Sequence, residues 1–340
     1  MQILDIFKDM QDRAGRNRLV VVLDGMGVSV VNNNLAPDGF FRAHMTDIAH
    51  AIIPATTVAA TTAYRTGKMP YQTGFIGWTQ YFSETDEVVE VFRNTNYYTG
   101  APAKLTLPSY TLSCPTVVAQ MRAAGRPAFE IMPSFMPGGC ATYYEWLSKI
   151  VATCNRETDA YIYAYWAQPD SLLHRVGTDD ASVRTLLRGM ESDMRSALAR
   201  VKNATDVMIT ADHGHRNAGY FMVDEYPDFM KCLAHPLSIE SRCASLFVRP
   251  EYRGRFPEIF DRHFGAHFHL VEKVRFERDF LAADTPVRFV GDFVALATGD
   301  YGLAQKRAHK KEQHKSNHAG LTPDELQIPI IRLTTGRVRG

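Results

Sequence analysis

Short apolar runs that end in a polar residue and a turn recur along the chain. RLVVVLDG at 18–25 is the first, and DAYIYAYW at 159–166 and DVMITADHG at 206–214 have the same form. A continuous apolar run of this length, bounded by turn residues, is typical of a strand buried on both faces of a sheet. These three segments are therefore predicted to be buried strands.

A long amphipathic helix is predicted between the second and third of these strands. Apolar residues recur there at spacings of three and four, which places them on one helical face: Val183, Leu186, Leu187, Met190, Met194, Leu198 and Val201. Strand, helix and strand in this order form a βαβ unit. We therefore expect an α/β fold with a largely parallel sheet and helices on its faces.

The rest of the chain adds strands to this pattern and two regions that fit it poorly. Residues 79–112 are rich in Tyr, Thr and Asn and are predicted to form a long loop over one sheet edge. Residues 251–300 alternate irregularly and resemble an inserted cap. We expect one domain over 1–340, with a small cap insertion at about 225–305. Further strands are predicted at residues 47–54, 128–133, 245–250 and 327–333.

Composition narrows the classes of partner. The 340 residues carry a formal net charge of +1, which gives no general attraction to nucleic acid or to an acidic membrane surface. The basic run at 305–315 is interpreted as a solvated loop, so no nucleic acid polymer is expected as a partner. The sequence contains no apolar run long enough for a membrane span or a signal peptide, and five cysteines without CxxC spacing favour free thiols. A cytoplasmic location is predicted, and the oligomeric state stays open.

Polar residues that suit a metal ion follow the predicted strands. Asp24 ends the first strand, Asp170 and His174 follow the second, and Asp212 and His213 end the third. Ligands of open α/β sheets bind beyond the carboxyl ends of the strands, so these side chains should share one rim. Carboxylate oxygen and imidazole nitrogen are the atoms that Zn²⁺ and similar ions bind. Taken singly, each residue also has a structural explanation as a cap or turn residue.

A candidate nucleophile lies in PATTVAATTAYRTG at 54–67. A strand should end at Pro54, and a short helix should run to Arg65 before Gly67 breaks it. Thr57 would then stand at the helix N-terminus, where backbone N–H groups favour an anion. A threonine hydroxyl needs a base or a metal to act as a nucleophile, and a plain capping role is the structural alternative.

Taken in order, these motifs resemble the alkaline phosphatase superfamily, specifically its type I phosphodiesterase/nucleotide pyrophosphatase branch. The similarity extends from about residue 18 to residue 333. The resemblance implies a three-layer α/β/α sandwich with a small inserted cap. The motifs that carry it are the strand-end Asp24, Thr57 at a helix start, PDSLLH at 169–174, ADHG at 211–214 and SNHAGLTPDE at 316–325.

The resemblance implies a site for two divalent metal ions, with Zn²⁺ preferred and Mn²⁺ as the alternative. One ion would be held by Asp170, His174 and His318. The other would be held by Asp24, Asp212 and His213, together with the hydroxyl oxygen of Thr57. His215 has no role in this pattern, and we interpret it as a surface residue or as support for a ligand.

The activity implied is hydrolysis of a small phosphoester through a phospho-threonine intermediate on Thr57. The backbone N–H groups of Thr57 and Val58 would stabilise charge on the phosphoryl oxygens. Aromatic side chains are candidates for stacking on the substrate, with Trp78 the one assigned to substrate binding. The other aromatic candidates are Tyr81, Tyr165 and Trp166.

Two alternatives stay open. A phosphomonoesterase of the same superfamily would use the same metal ligands, and a catalytically silent metal-binding regulatory protein would keep the ligands without turnover. Sulfatases are disfavoured because the segment after Thr57 lacks their C/S-x-P-x-R motif. The related phosphoglycerate mutases use Ser and carry a large inserted domain, for which 340 residues leave little room.

Overall fold

A computed structural model of the chain describes residues 3–105, 114–308 and 313–337. The end of the predicted loop, 106–112, and the middle of the basic run, 309–312, lie outside these residues. The strands, in chain order, are β1 (Asn17–Leu23), β2 (Met45–His50), β3 (Thr79–Phe82), β4 (Glu87–Glu90), β5 (Thr95–Asn96), β6 (Ala128–Ile131), β7 (Tyr161–Trp166), β8 (Thr205–Thr210), β9 (Arg216–Asn217), β10 (Gly219–Met222), β11 (Ser238–Ile239), β12 (Cys243–Leu246), β13 (Phe268–Glu272), β14 (Phe293–Ala297), β15 (Tyr301–Ala304), β16 (Ser316–Asn317) and β17 (Gln327–Thr335).

Two short 3₁₀ helices, at Val223–Glu225 and Pro250–Tyr252, accompany the α-helices. Among the helices of the described residues, none combines the length and apolarity that a membrane crossing requires. The α-helices, in chain order, are α1 (Ile3–Asp12), α2 (Val28–Asn34), α3 (Phe40–Ala43), α4 (Thr57–Thr66), α5 (Pro70–Thr73), α6 (Val117–Ala123), α7 (Tyr143–Arg156), α8 (Asp170–Val176), α9 (Ala181–Leu198), α10 (Pro227–Cys232), α11 (Phe256–Phe264), α12 (Lys273–Asp279) and α13 (Pro323–Leu326).

The central sheet has the strand order β2-β17-β8-β1-β7-β6. Strands β8, β1, β7 and β6 are parallel, and β17 runs antiparallel to both of its neighbours. Every residue of β1 is buried, as the continuous apolar run predicted. Helices α2, α3, α7 and α9 form one packed group, and α1, α4 and α6 form another. The predicted α/β fold with a largely parallel sheet is confirmed.

The long helix α9 lies where the apolar periodicity predicted it. It spans Ala181–Leu198, and the Asp180 carboxylate caps it by accepting a hydrogen bond from the Ser182 N–H (2.8 Å). The apolar stripe is buried in the core of the central sheet. Strand β1 lies between β7 and β8, which brings the ends of the three predicted strands side by side.

A second sheet corrects the prediction for residues 79–112. This sheet is antiparallel, with the order β13-β14-β12-β11-β3-β4-β5. Residues 79–96 supply three of its strands, so the predicted loop is wrong there. Their Thr, Tyr and Val residues are good strand formers, but runs of two to four residues are too short to show alternation. The segment predicted as a cap, at about 225–305, supplies β11 to β14, and its status as an insertion stays a prediction.

A buried ion pair connects this second sheet to the loop that carries His318. The Arg242 guanidinium donates to both carboxylate oxygens of Glu325, at 2.6 and 2.7 Å, and both side chains are fully buried. Glu325 also accepts from the Gly320 N–H (2.7 Å) and closes the capping box with Thr322 at the start of the one-turn helix α13. The segment from 318 to 326 is therefore held by the ion pair with Arg242 of the second sheet and by its own capping box.

Candidate active site

Three carboxylates converge where β8, β1 and β7 end. Asp24 directly follows β1, Asp212 lies two residues beyond β8, and Asp170 begins helix α8 after β7. The Gly25 N–H donates to Asp212 Oδ1 (3.1 Å), and the Asp170 N–H donates to the Asp24 carbonyl (3.0 Å). Asp24 and Asp212 are buried. The parallel topology thus places acids from distant segments on one rim.

Thr57 stands at the first position of helix α4, which ends at Gly67 in the left-handed conformation (φ +68°). Its Oγ1 lies 3.2 Å from His213 Nε2, and 3.4 and 3.5 Å from the two carboxylate oxygens of Asp24. The first backbone hydrogen bond of the helix runs from the Ala60 N–H to the Thr56 carbonyl (3.0 Å). The N–H groups of residues 57 to 59 therefore have no acceptor within the helix.

A second group surrounds Asp170. His215 Nε2 lies 2.7 Å from Asp170 Oδ1, His174 Nε2 lies 3.3 Å from it, and His318 Nε2 lies 3.9 Å from it. Two sets of side chains have ligand atoms close enough together to hold a metal ion: Asp24, Asp212 and His213, and Asp170, His213, His215 and His318. The structure thus brings the six predicted ligands and Thr57 together, and their roles stay predictions.

The imidazoles are oriented as metal ligands are. A backbone carbonyl only accepts, so an Nδ1 atom beside one carries the proton and leaves a lone pair on Nε2. In each case that Nε2 atom lies 3.9 Å or less from a carboxylate oxygen of the cluster. The pairs are His213 Nδ1 with Gly214 O (3.0 Å), His174 Nδ1 with Ser316 O (2.8 Å) and His318 Nδ1 with Ala55 O (3.0 Å).

The charges of the cluster also fit a cation. Burial, together with the neighbouring carboxylates, raises the pKa of Asp24 well above its ordinary value and that of Asp212 to about 7. Asp212 Oδ2 is buried without a hydrogen-bond partner among the described residues. Burial also lowers the pKa of His318 well below the ordinary value, which keeps its imidazole neutral. Neutral imidazoles and carboxylates at this spacing suit divalent metal ions.

His215 is the functional side chain that sequence reasoning did not place. It is buried, and burial lowers its pKa to about 3. Its Nδ1 lies 3.1 Å from Ser316 Oγ and its Nε2 lies 2.7 Å from Asp170 Oδ1, a position from which it can orient that carboxylate or contribute to an ion site. Its ring packs against Gly25, where a Cβ atom would lie 2.9 Å from the imidazole. In the sequence, the signal for a role of His215 in the site was its position two residues after His213.

Tyr165 is a second residue whose role was not predicted. Its hydroxyl donates a hydrogen bond to Asp24 Oδ2, so it orients that carboxylate. Burial and the Asp24 charge raise the pKa of the Tyr165 hydroxyl well above its ordinary value. Trp166 packs against Trp146, and Tyr81 stacks on His235. None of these three aromatic side chains is among the residues that line the cavity over Thr57.

A cavity of about 360 Å³ opens over Thr57. Asp170, His174 and His318 line it beside Thr57, and Trp78 lies in its wall. The Val58 side chain packs instead in an apolar cluster with Phe82, Val89 and Val91, so only its backbone can face a substrate. The remaining wall residues include Tyr97, Tyr98, Tyr220, Glu90, Glu240, Arg93 and Arg307.

Comparison with known families identifies the chain. The model of the type I phosphodiesterase/nucleotide pyrophosphatase family matches residues 18–321. The chain belongs to this family. It is therefore a hydrolase acting on phosphoric ester bonds, and its recognition as a member of the alkaline phosphatase superfamily is confirmed. No curated protein matches the chain in a sequence search.

Solved structures share the fold. Murine ectonucleotide pyrophosphatase/phosphodiesterase 5 is 17% identical with a TM-score of 0.65, and the match covers 94% of this chain and 88% of that one. Phosphonoacetate hydrolase from Sinorhizobium meliloti 1021, in complex with phosphonoformate, is 14% identical with a TM-score of 0.69, and the match covers 94% and 90%. At these identities the likeness concerns the fold, and it agrees with the predicted alkaline-phosphatase-like architecture.

Proposed function

We propose that the protein is a metal-dependent phosphodiesterase or nucleotide pyrophosphatase that hydrolyses a small phosphoester through a phospho-threonine intermediate. The observation that carries this proposal is the position of Thr57 Oγ1 at a helix N-terminus, 3.2 Å from His213 Nε2 and beside the Asp24 carboxylate. Zn²⁺ is the preferred ion and Mn²⁺ the alternative. The proposed ligands are Asp170, His174 and His318 for one ion, and Asp24, Asp212, His213 and the Thr57 oxygen for the other.

The chain's own residues would perform two successive displacements at phosphorus. Thr57 Oγ1 forms a bond to phosphorus as the bond to the leaving oxygen breaks, and water then cleaves the phospho-threonine. Divalent ions bound there would lower the pKa of the threonine hydroxyl and stabilise the attacking and leaving oxygens. The free N–H groups of Thr57 and Val58 would donate to the phosphoryl oxygens.

Groups around the proposed ligands would orient them, and the cavity wall would contact the substrate. Tyr165 holds the Asp24 carboxylate, and the carbonyl of Gly214 fixes the His213 ring. Trp78 forms a wall of the cavity, where its indole is available to stack on a substituent of the ester. The proposed substrate is a small-molecule phosphoester, and the cytoplasmic location stays a prediction.

The test is hydrolysis of bis-p-nitrophenyl phosphate and p-nitrophenyl phosphate, with metal content measured on the same samples. Removing a covalent nucleophile costs at least about a thousandfold in kcat, so Thr57→Ala should lose turnover while Thr57→Ser retains part of it. Thr62→Ala, five residues further along the same helix, is the matched control and should stay active.

Two outcomes would reject the proposal. One is a Thr57→Ala protein that turns over at the wild-type rate. The other is a wild-type protein that binds no metal after loading with Zn²⁺ or Mn²⁺, since the convergent ligands would then have another purpose. Faster hydrolysis of the monoester than of the diester would favour the phosphomonoesterase alternative, and bound metal without turnover would favour the silent regulatory protein.

A further inference from the structure

Glu240 is a half-buried carboxylate in the candidate active-site cavity that the proposed mechanism does not use. It lies between β11 and β12 of the second sheet and lines the same cavity as Thr57. Its Oε1 accepts a hydrogen bond from the Thr56 hydroxyl (2.5 Å) and another from the Trp78 N–H (3.0 Å). Glu240 therefore contacts the residue directly before the nucleophile and the residue assigned to the cavity wall.

A carboxylate in this position is costly unless it serves a purpose. Burying an ionised acid carries a desolvation penalty, and burial raises the pKa of Glu240. The two hydrogen-bond donors, the Thr56 hydroxyl and the Trp78 N–H, act against that rise and favour the charged form. The neutral amide of glutamine would accept the same two hydrogen bonds, so positioning alone does not require the negative charge.

The charge balance of the site suggests what the carboxylate does. Asp24, Asp170 and Asp212 offset three of the four positive charges that two divalent ions would bring. Glu240 adds a fourth negative charge, so the charge of the two ions would be fully offset before Thr57 ionises. The described cavity wall also contains two arginines, and both have partners there. Arg93 lies over the Trp78 ring and 3.6 Å from Glu90, and Arg307 lies over the Tyr97 ring.

We propose that Glu240 determines specificity by charge: it disfavours dianionic phosphate monoesters at Thr57 relative to monoanionic phosphodiesters. A monoester carries a second negative charge on its non-bridging oxygens, and like charges at a partly buried site repel strongly. A diester lacks that charge, because its second oxygen bears a substituent. This inference rests on the proposed function, since it concerns substrate selection at the same nucleophile.

The test compares two substrates that share a leaving group, methyl p-nitrophenyl phosphate and p-nitrophenyl phosphate. At about pH 8.5 the monoester is a dianion, because the second pKa of a phosphate ester is about 6. Glu240→Gln removes the charge and keeps an acceptor for Thr56 and Trp78. It should raise kcat/KM for the monoester relative to the diester by about tenfold or more, and inorganic phosphate should inhibit it at least about fivefold more strongly.

Glu87→Gln is the matched control, because Glu87 is a buried carboxylate of the same sheet that accepts hydrogen bonds from Asn96 and the Lys104 N–H and is not among the described wall residues of the cavity. Its monoester-to-diester ratio should stay within about twofold of the wild type. An unchanged ratio in Glu240→Gln, or an equal fall in both activities, would overturn the inference and leave the proposed function intact. A wild-type protein that hydrolyses neither substrate would instead reject the proposed function.

Discussion

The two sheets of this protein contribute to the site in different ways. The central sheet is largely parallel, and its strand ends deliver Asp24, Asp170 and Asp212 to one rim. The second sheet is antiparallel, and it contributes Glu240 and Arg242 from the connection between β11 and β12. The first sheet thus positions the residues of the proposed chemistry, whereas the second supports them and, by our proposal for Glu240, would select among substrates. Substitutions in the two regions should therefore have distinguishable consequences.

The largest effect is expected at the rim of the central sheet. Asp212→Asn removes a charged ligand from the proposed ion that activates Thr57, so kcat should fall by at least about a thousandfold. Turnover of bis-p-nitrophenyl phosphate and metal content per chain would be measured together. Asp206→Asn, at the other end of the same strand, is the control and should retain activity. Full activity in Asp212→Asn would show that the rim does not carry the chemistry.

The next effect is on stability and belongs to the second sheet. Arg242→Leu leaves the Glu325 carboxylate buried without its ion-pair partner, and we expect a loss of about 3–5 kcal/mol in the free energy of unfolding. Urea denaturation checks this value. Arg216→Leu is the control, because its ion pairs with Asp300 and Asp324 are partly exposed and should be worth less than about 1 kcal/mol. Equal losses in the two variants would contradict the supporting role of Arg242.

A smaller effect is expected for His215, the neighbour of Asp170. His215→Asn removes the imidazole that contacts Asp170 Oδ1 at 2.7 Å. Loss of such a supporting partner typically weakens metal affinity about 10- to 100-fold. Competitive titration with a chromophoric chelator measures the affinity, and His235→Asn, a histidine that stacks on Tyr81, serves as the control. Wild-type affinity in His215→Asn would mean that Asp170 needs no such support.

The smallest effect is a pH dependence of metal binding. In the metal-free protein burial raises the pKa of Asp212 to about 7, and a bound ion requires the carboxylate form. Below that pH the ion must displace a proton, so affinity should rise as the pH increases through about 7, and the raised pKa of Asp24 acts in the same direction. The difference in Tm between metal-loaded and EDTA-treated protein should accordingly be larger at about pH 8 than at about pH 6. An equal difference at both values would contradict this prediction.

The sequence predicts the middle of the central sheet well, because β1, β7 and β8 are apolar runs with clear turns after them. The edge strand β2 is mostly exposed and ends at His50, short of the predicted end at Pro54. The strands β1, β7 and β8 and the helix α9 lie where the pattern indicated. The convergence of the candidate ligands follows from parallel strands ending at one edge. His318 was found through the family resemblance, since a histidine in a basic loop has no local signal of its own.

The second sheet and the supporting residues were not predictable in the same way. Its strands come from two segments, 79–96 and 238–297, and many are too short for a period of two to be visible. Tyr165 is one of three tyrosines at alternate positions of the buried strand β7, so nothing in the sequence distinguishes it as the residue that contacts Asp24. Glu240 is likewise an ordinary acid until the tertiary contact with Thr56 is known.

The hydrogen bond from His318 Nδ1 to Ala55 O joins residues 263 positions apart in the chain. Contacts of such long range form late, because the entropy of closing a large loop must be overcome first. An ion would therefore meet its complete set of proposed ligands only after the segments around Ala55 and His318 have come together. The proposed metal centre would consequently report finished folding rather than nucleate it, and ion uptake would lag behind compaction in a refolding experiment.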